Sequence, residues 1–211
     1  VSLDRSGTVV SEVDRRIDLR MSAQDLITIG IFAALYVVIV FAINAFGFLN
    51  PVVMLVALAA GIVAGGVPFM LFLTRVRHTG MVVIFAAITS GLMTLIGHPP
   101  VGLPITLLCA LLAEIVLWFG GYRSRRMGVL AYTVYSLWYC TPLLPIFYAR
   151  DEYFADPAMQ QMGQAYIEQM NDLLSPIVLG VFSASTLLFG LLGGWLGSRM
   201  LRKHFEKAGL A

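Results

Sequence analysis

The chain has 211 residues, of which 59% are hydrophobic and 12% charged, and its formal net charge is +2. A soluble domain carries about 25% charged residues, so this chain cannot cover itself with polar surface and reads as an integral membrane protein. Its length has room for about six spans of roughly 20 residues each, and no polar stretch is long enough to be a fused ATPase.

Residues 1–21 mix acids and bases without the basic-then-apolar layout of a cleavable signal, and are expected to form a flexible cytoplasmic tail. A membrane domain over 22–200 follows. Ser22 and Asp25 have the spacing of a capping box, opening a first span from Leu26 to Phe46. Asn50-Pro51 starts a second, to Thr74, in which Gly65-Gly66 and Pro68 predict a kink or break. The third span covers Met81 to Ile96, a turn at Gly97-His98-Pro99-Pro100 leads to the fourth, Leu103 to Phe119, and the fifth covers Met127 to Phe147. An outer loop over 149–173 precedes the sixth span, Leu174 to Leu196, and 201–211 form a basic cytoplasmic tail.

Arg5, Arg15, Arg16, Arg20, Arg75, Arg77, Arg123, Arg125, Arg126, Arg199, Arg202, Lys203 and Lys207 all fall on one side of this map, and only Arg150 on the other. The positive-inside rule then places both termini in the cytoplasm and makes the number of spans even. The expected fold is an all-α, six-span polytopic protein. Nothing in the charge pattern calls for a nucleic-acid partner.

Chemistry is sparse along the chain. No phosphate-binding loop, dinucleotide fingerprint or metal-ligand spacing occurs, so neither an enzyme nor a resident cofactor is expected. Cys109 and Cys140 lie in apolar runs and read as free core thiols. Glu114 is the single acid inside a span. It either snorkels or pairs near Arg123–Arg126, or serves a proton relay in a stand-alone proton-coupled carrier.

In the outer half of the fifth span, Trp138 and Tyr139 lie near mid-membrane, too deep for an interfacial belt that does account for Tyr148. They form a candidate stacking surface for a planar or apolar ligand, with Asn44, Thr94 and His98 as polar contacts at the same end. In the outer loop, Asp156-Pro157 resembles a helix start, and Met159, Met162, Tyr166, Met170 and Leu173 recur at helical spacing. That stripe is either a surface helix or an adaptable lid over an outward-facing pocket. Small residues at Gly30 and Ala34, and at Gly190, Gly193, Gly194 and Gly197, suit close helix packing or docking of a membrane partner.

The segments Pro68–Val76, Ser136–Tyr139 with Pro142 and Pro145, Arg150–Ala155 and Leu201–Gly209 together resemble the Trep_Strep family, over nearly all of the chain from Ser22. Members are regarded as substrate-binding S-components of energy-coupling factor (ECF) transporters. The resemblance implies a six-helix subunit that captures a micronutrient outside and works with a transmembrane coupling subunit and two cytoplasmic ATPases. In S-components the first helix presents a small-x-x-x-small pattern to the coupling subunit; the matching positions here are Gly30, Ala33 and Ala34. The substrate expected from the outer aromatics and methionines is vitamin-like or a tetrapyrrole such as haem, for which His98, a tyrosine or a methionine would be the axial ligand.

Overall fold

The computed structural model describes residues 2–3, 9–10, 21–76 and 78–207, with backbone only over 202–207. Before Met21 the N-terminal tail is therefore described only at the two-residue strands β1 (Ser2–Leu3) and β2 (Val9–Val10), which pair antiparallel. Arg77 and the last four residues of the basic tail lie outside the described residues.

Helix α1 spans Ala23–Asn44 and starts as the sequence predicts. The Ser22 hydroxyl accepts from the Asp25 amide at 3.2 Å, and the Asp25 carboxylate accepts from the Ser22 amide at 2.9 Å. A 3₁₀ turn, Ala45–Phe48, leads to α2 (Pro51–Leu73), which Asn50 caps by accepting from the Val53 amide at 2.9 Å with Pro51 in the first turn. The predicted break in α2 does not occur: the helix is continuous through Pro68. Its glycines instead admit a neighbour's backbone, since a Cβ on Gly66 would stand 2.3 Å from the Gly193 carbonyl carbon.

α3 (Met81–Leu95) and α4 (Gly102–Phe119) follow the predicted third and fourth runs closely. The fifth run does not stay α-helical. α5 ends at Tyr135, having begun at Arg125, and the chain tightens into a 3₁₀ segment, Ser136–Leu143, before the short α6, Pro145–Tyr148. Pro142 and Pro145 lack the amide hydrogens that α-helical bonds to the carbonyls of Trp138 and Thr141 require.

The outer loop folds into three helices rather than one: α7 (Arg150–Ala155), α8 (Pro157–Gln160) and α9 (Gln164–Leu173). Asp156 caps α8 as predicted, accepting from the Ala158 amide at 2.8 Å. Gly163, at φ 88°, then ends the run that the methionine spacing had suggested would continue. α10 (Pro176–Lys207) carries the last apolar run and continues beyond it as helix into the basic tail.

Four stretches, Ala23–Phe48, Pro51–Leu73, Gly102–Phe119 and Pro176–Leu201, are long and apolar enough to cross a membrane, and Met81–Leu95 is a shorter apolar helix. Neighbour contacts close a ring in the order α1–α2–α10–α5–α4–α3 and back to α1. Between helices in lipid there is little hydrophobic driving force, so close packing and hydrogen bonds must hold the ring. The glycines of α10 serve this end. A Cβ on Gly193 would meet the Val63 carbonyl oxygen at 2.8 Å, one on Gly197 the Gly66 oxygen at 2.5 Å, and one on Gly190 or Gly194 the side of α5 and its 3₁₀ extension.

Candidate functional site

The centre of the ring is aromatic. Phe69 of α2 stacks on Tyr135 with centroids 5.0 Å apart, Phe72 on Phe85 at 4.8 Å, and Tyr36 of α1 meets Phe85 edge-on at 5.4 Å. Its polar tips are tied off one by one. The Trp138 indole donates to the Tyr36 hydroxyl at 3.0 Å, Tyr132 donates to the Ile62 carbonyl, and Tyr135 shares a 3.0 Å bond with Thr89.

Two buried polar atoms in this part of the bundle break that pattern. The Tyr139 hydroxyl and the Asn44 Oδ1 are sealed from solvent, and neither meets a partner at hydrogen-bond geometry, although the Tyr36 phenol lies close enough to Tyr139 to interact with it. Both border the same glycine: a Cβ on Gly61 would be 2.6 Å from Asn44 Oδ1 and 3.6 Å from the Tyr139 hydroxyl. An unsatisfied buried group costs about 1–3 kcal/mol, so two of them at one place call for a physical reason. Asn44 is placed by the C-terminal turn of α1, Gly61 by mid-α2, and Tyr139 by the 3₁₀ segment. The tighter winding after Tyr135 changes where this side chain lies relative to the regular α-helical position that the sequence suggested.

The three-helix excursion sits over the same end of the ring. The Tyr166 hydroxyl of α9 donates to the Gly47 carbonyl at 2.9 Å, at the corner between α1 and α2, and also contacts the Met54 sulfur at 3.5 Å. Met159, Tyr166, Tyr153 and Phe154 pack against the edge of the core, and Met170 is buried in it. Burial pushes the Tyr153 phenol up to about 12 and raises that of Tyr166, so both remain neutral at physiological pH. Arg150 staples the excursion: its Nε donates to Asn171 Oδ1 at 2.7 Å and its Nη1 to the Leu174 carbonyl at 2.8 Å. The cation thereby meets carbonyls at the end of α9, where the helix dipole favours positive charge.

Of the residues singled out in the sequence, the structure joins Asn44 and Tyr139 at Gly61, and Trp138 to Tyr139 through ring contact at 4.4 Å. Trp138 and Tyr139 are 3% and 1% exposed, so their faces are already occupied by protein. Tyr148 is 67% exposed on α6 and stands apart, and Met162 is half-buried beside Gly163. His98 is half-buried in the α3–α4 turn, where burial lowers its pKa; Thr94 spends its hydroxyl on the Ser90 carbonyl at 2.9 Å. On α1, Gly30 and Ala34 belong to the outward side, with open space around Gly30, whereas Ala33 is fully buried in the core and does not share their face.

Gly61 and Tyr36 escaped the sequence reading. The Gly61-x-x-x-Gly65 spacing in α2 was the available signal, because a Cβ at Gly65 would meet Tyr36 at 2.9 Å and the Tyr132 hydroxyl at 3.0 Å.

The opposite end of the ring, which carries Arg75, Arg123, Arg125, Arg126 and Arg199, is organised differently. Glu114 pairs with none of those arginines. Its carboxylate accepts from the Gly80 amide at 2.8 Å, the Val82 amide at 3.2 Å and the Tyr122 hydroxyl at 2.9 Å, capping the start of α3 from the side of α4. Tyr122 reaches back under α4 from a left-handed backbone, φ 57°, and its pKa is raised, first by burial and then by Glu114. Two grooves of about 640 and 530 Å³ open at this end, on either side of Arg125 and Ser198.

No curated protein and no solved structure matches the chain. A family model described as a hypothetical bacterial integral membrane protein (Trep_Strep) matches residues 23–207, from the first residue of α1 to the last of α10. The protein belongs to the Trep_Strep family of bacterial integral membrane proteins.

Proposed function

We propose that the protein is the substrate-binding subunit of an ECF-type importer in the bacterial cytoplasmic membrane. The observation that carries this reading is the pair of unpartnered buried atoms, Asn44 Oδ1 and the Tyr139 hydroxyl, meeting at Gly61 beneath a tethered helical excursion. A ligand that offers a donor to the amide oxygen and an acceptor to the phenol, with an apolar or planar body for Trp138 and the methionines, would satisfy both atoms. Vitamin-like heterocycles and tetrapyrroles have that character. Because the aromatic faces are already covered, entry requires α7–α9 to move, and the Tyr166–Gly47 bond is the contact to break first.

In this reading α3 and the α5–3₁₀ unit complete six spans, and both termini lie on the arginine-rich, cytoplasmic side. The exposed strip of α1 with Ile27, Gly30, Ile31 and Ala34 docks a coupling subunit, which works with two ATPases. A stand-alone proton-coupled carrier would have to withdraw Glu114 from three hydrogen bonds that start α3.

The test is native mass spectrometry with an absorption spectrum on protein purified gently from a nutrient-rich culture, for the wild type and Tyr139→Phe. Because Tyr139→Phe removes a buried hydroxyl that is not hydrogen-bonded, the variant melts at or above the wild-type temperature while losing the co-purifying molecule. A Soret band would identify haem. Equal ligand retention in Tyr139→Phe, or uptake by the isolated subunit in liposomes without coupling subunits and ATP, refutes the proposal.

A further inference from the structure

The 640 Å³ groove lies between the start of α5 and the second half of α10, with Arg125, Arg126, Leu130, Trp195, Ser198 and Arg199 in its lining. It contains three cations and no acid. Two of the cations are held in place by neutral groups. Arg125 Nε donates to the buried Ser198 hydroxyl at 2.8 Å, and the Arg199 guanidinium lies over the Trp195 ring, 5.3 Å from its centroid. Ser198 is itself fixed by donating to the Trp195 carbonyl at 3.1 Å. Among the described residues no carboxylate pairs with Arg125, Arg126 or Arg199, so within them the groove is positioned without being neutralised. Arginine forks arranged in this way suit the oxygens of a phosphate.

The walls indicate where the phosphate comes from. Leu130, Leu191 and Trp195 are 44%, 45% and 46% exposed, and the apolar track continues along α10 through Leu192, Leu188 and Leu187. A soluble phosphate would make no use of this track, whereas an acyl chain would cover it. We infer that the groove between α5 and α10 binds an anionic phospholipid, its phosphodiester held by Arg125, Arg126 and Arg199 and one acyl chain lying along the leucines of α10. Trp195 joins the two parts, with its ring under Arg199 and its edge at the apolar wall, the position interfacial tryptophans favour. This inference rests on the membrane character of the family and is independent of the transport reading.

The experiment uses delipidated full-length protein in a neutral detergent, titrated by native mass spectrometry with phosphatidylglycerol, with phosphatidylcholine of the same acyl chains, and with glycerol 3-phosphate. Arg126→Gln/Arg199→Gln removes two cations but leaves Arg125 on Ser198, and its melting temperature without lipid checks the fold. The expected result is a preference for phosphatidylglycerol over phosphatidylcholine of about tenfold to thirtyfold in the wild type, lost in the double variant. Equal binding of the two lipids overturns the inference, as does a preference that survives in a folded double variant. Displacement of phosphatidylglycerol by glycerol 3-phosphate at matched concentration would also overturn it, by showing that a soluble anion is the occupant.

Discussion

The seam between α2 and α10 offers the sharpest test of how the bundle is held. Replacing Gly66 with alanine puts a methyl carbon 2.3 Å from both the carbonyl carbon and oxygen of Gly193, and 2.8 Å from its Cα. Ordinary carbon contacts fall at about 3.5–4.0 Å, so the two helix backbones must part by roughly an ångström or more. The obstruction is backbone, which cannot rotate away as a side-chain tip would. Overpacking of this kind costs about 1–3 kcal/mol, against a gain of about 1 kcal/mol from the helix propensity of alanine. Gly30→Ala isolates that gain, because a Cβ there meets nothing within 4 Å. The two variants should therefore differ by the overpacking term alone, and at about 2–4 °C per kcal/mol for a chain of this size Gly66→Ala should melt about 2–12 °C below Gly30→Ala. Thermal unfolding in detergent, read by a thiol-reactive dye reaching buried Cys109, measures the difference. If Gly66→Ala melts as high as Gly30→Ala, the close backbone approach is not what joins these helices.

Glu114→Gln replaces a carboxylate that accepts three hydrogen bonds with an amide whose nitrogen would face a backbone donor, and should cost about 1–3 kcal/mol in the same melting assay. A transport defect in that variant accompanied by wild-type stability would contradict the capping role. His98, its pKa lowered by burial, sets a pH dependence. The unfolded chain takes up the proton as pH falls through about 6.5 while the folded chain resists it, so this contribution to stability is complete above that value and is lost progressively below it. Wild-type protein should lose more melting temperature than His98→Gln between pH 7.5 and pH 5.5, and equal losses would show that the imidazole does not couple to folding.

Three helix starts were legible from their local caps. Ser22-x-x-Asp25, Asn50-Pro51 and Asp156-Pro157 each satisfy orphan amides within one turn, a decision that needs no tertiary partner. Winding was less legible. Of the kink or break that Pro68 predicted, no break occurs, whereas the 3₁₀ segment begins at Ser136, ahead of Pro142 and Pro145. The glycine spacing of α10 announced close packing, but its partner face on α2 depends on the ring order, which no single helix encodes. Arg150, conspicuous in the sequence as the lone cation on its side, is explained by what it holds: the carbonyls where α9 ends and α10 begins.

The site was half legible for a related reason. Trp138 and Tyr139 draw attention by type and depth, but what separates Tyr139 from Tyr36, Tyr132 and Tyr135 is the lack of a partner, a property of the assembled ring. The contrast between the two ends of the bundle follows the same logic. At the arginine-rich end the buried carboxylate is fully engaged, and α3 starts on hydrogen bonds supplied by α4 and Tyr122. At the other end Asn44 and Tyr139 are left unsatisfied where both approach Gly61, at which a Cβ would crowd the Asn44 Oδ1 to 2.6 Å, and the excursion above them is tied to the α1–α2 corner through the Tyr166 hydroxyl. A bundle that needed only to be stable would gain about 1 kcal/mol or more by replacing those polar groups with apolar ones of similar shape. In the proposed reading, retaining two polar atoms there places the cost where a bound molecule would recover it, and a fully engaged Glu114 at the far end would give the helices a fixed base while the excursion moves.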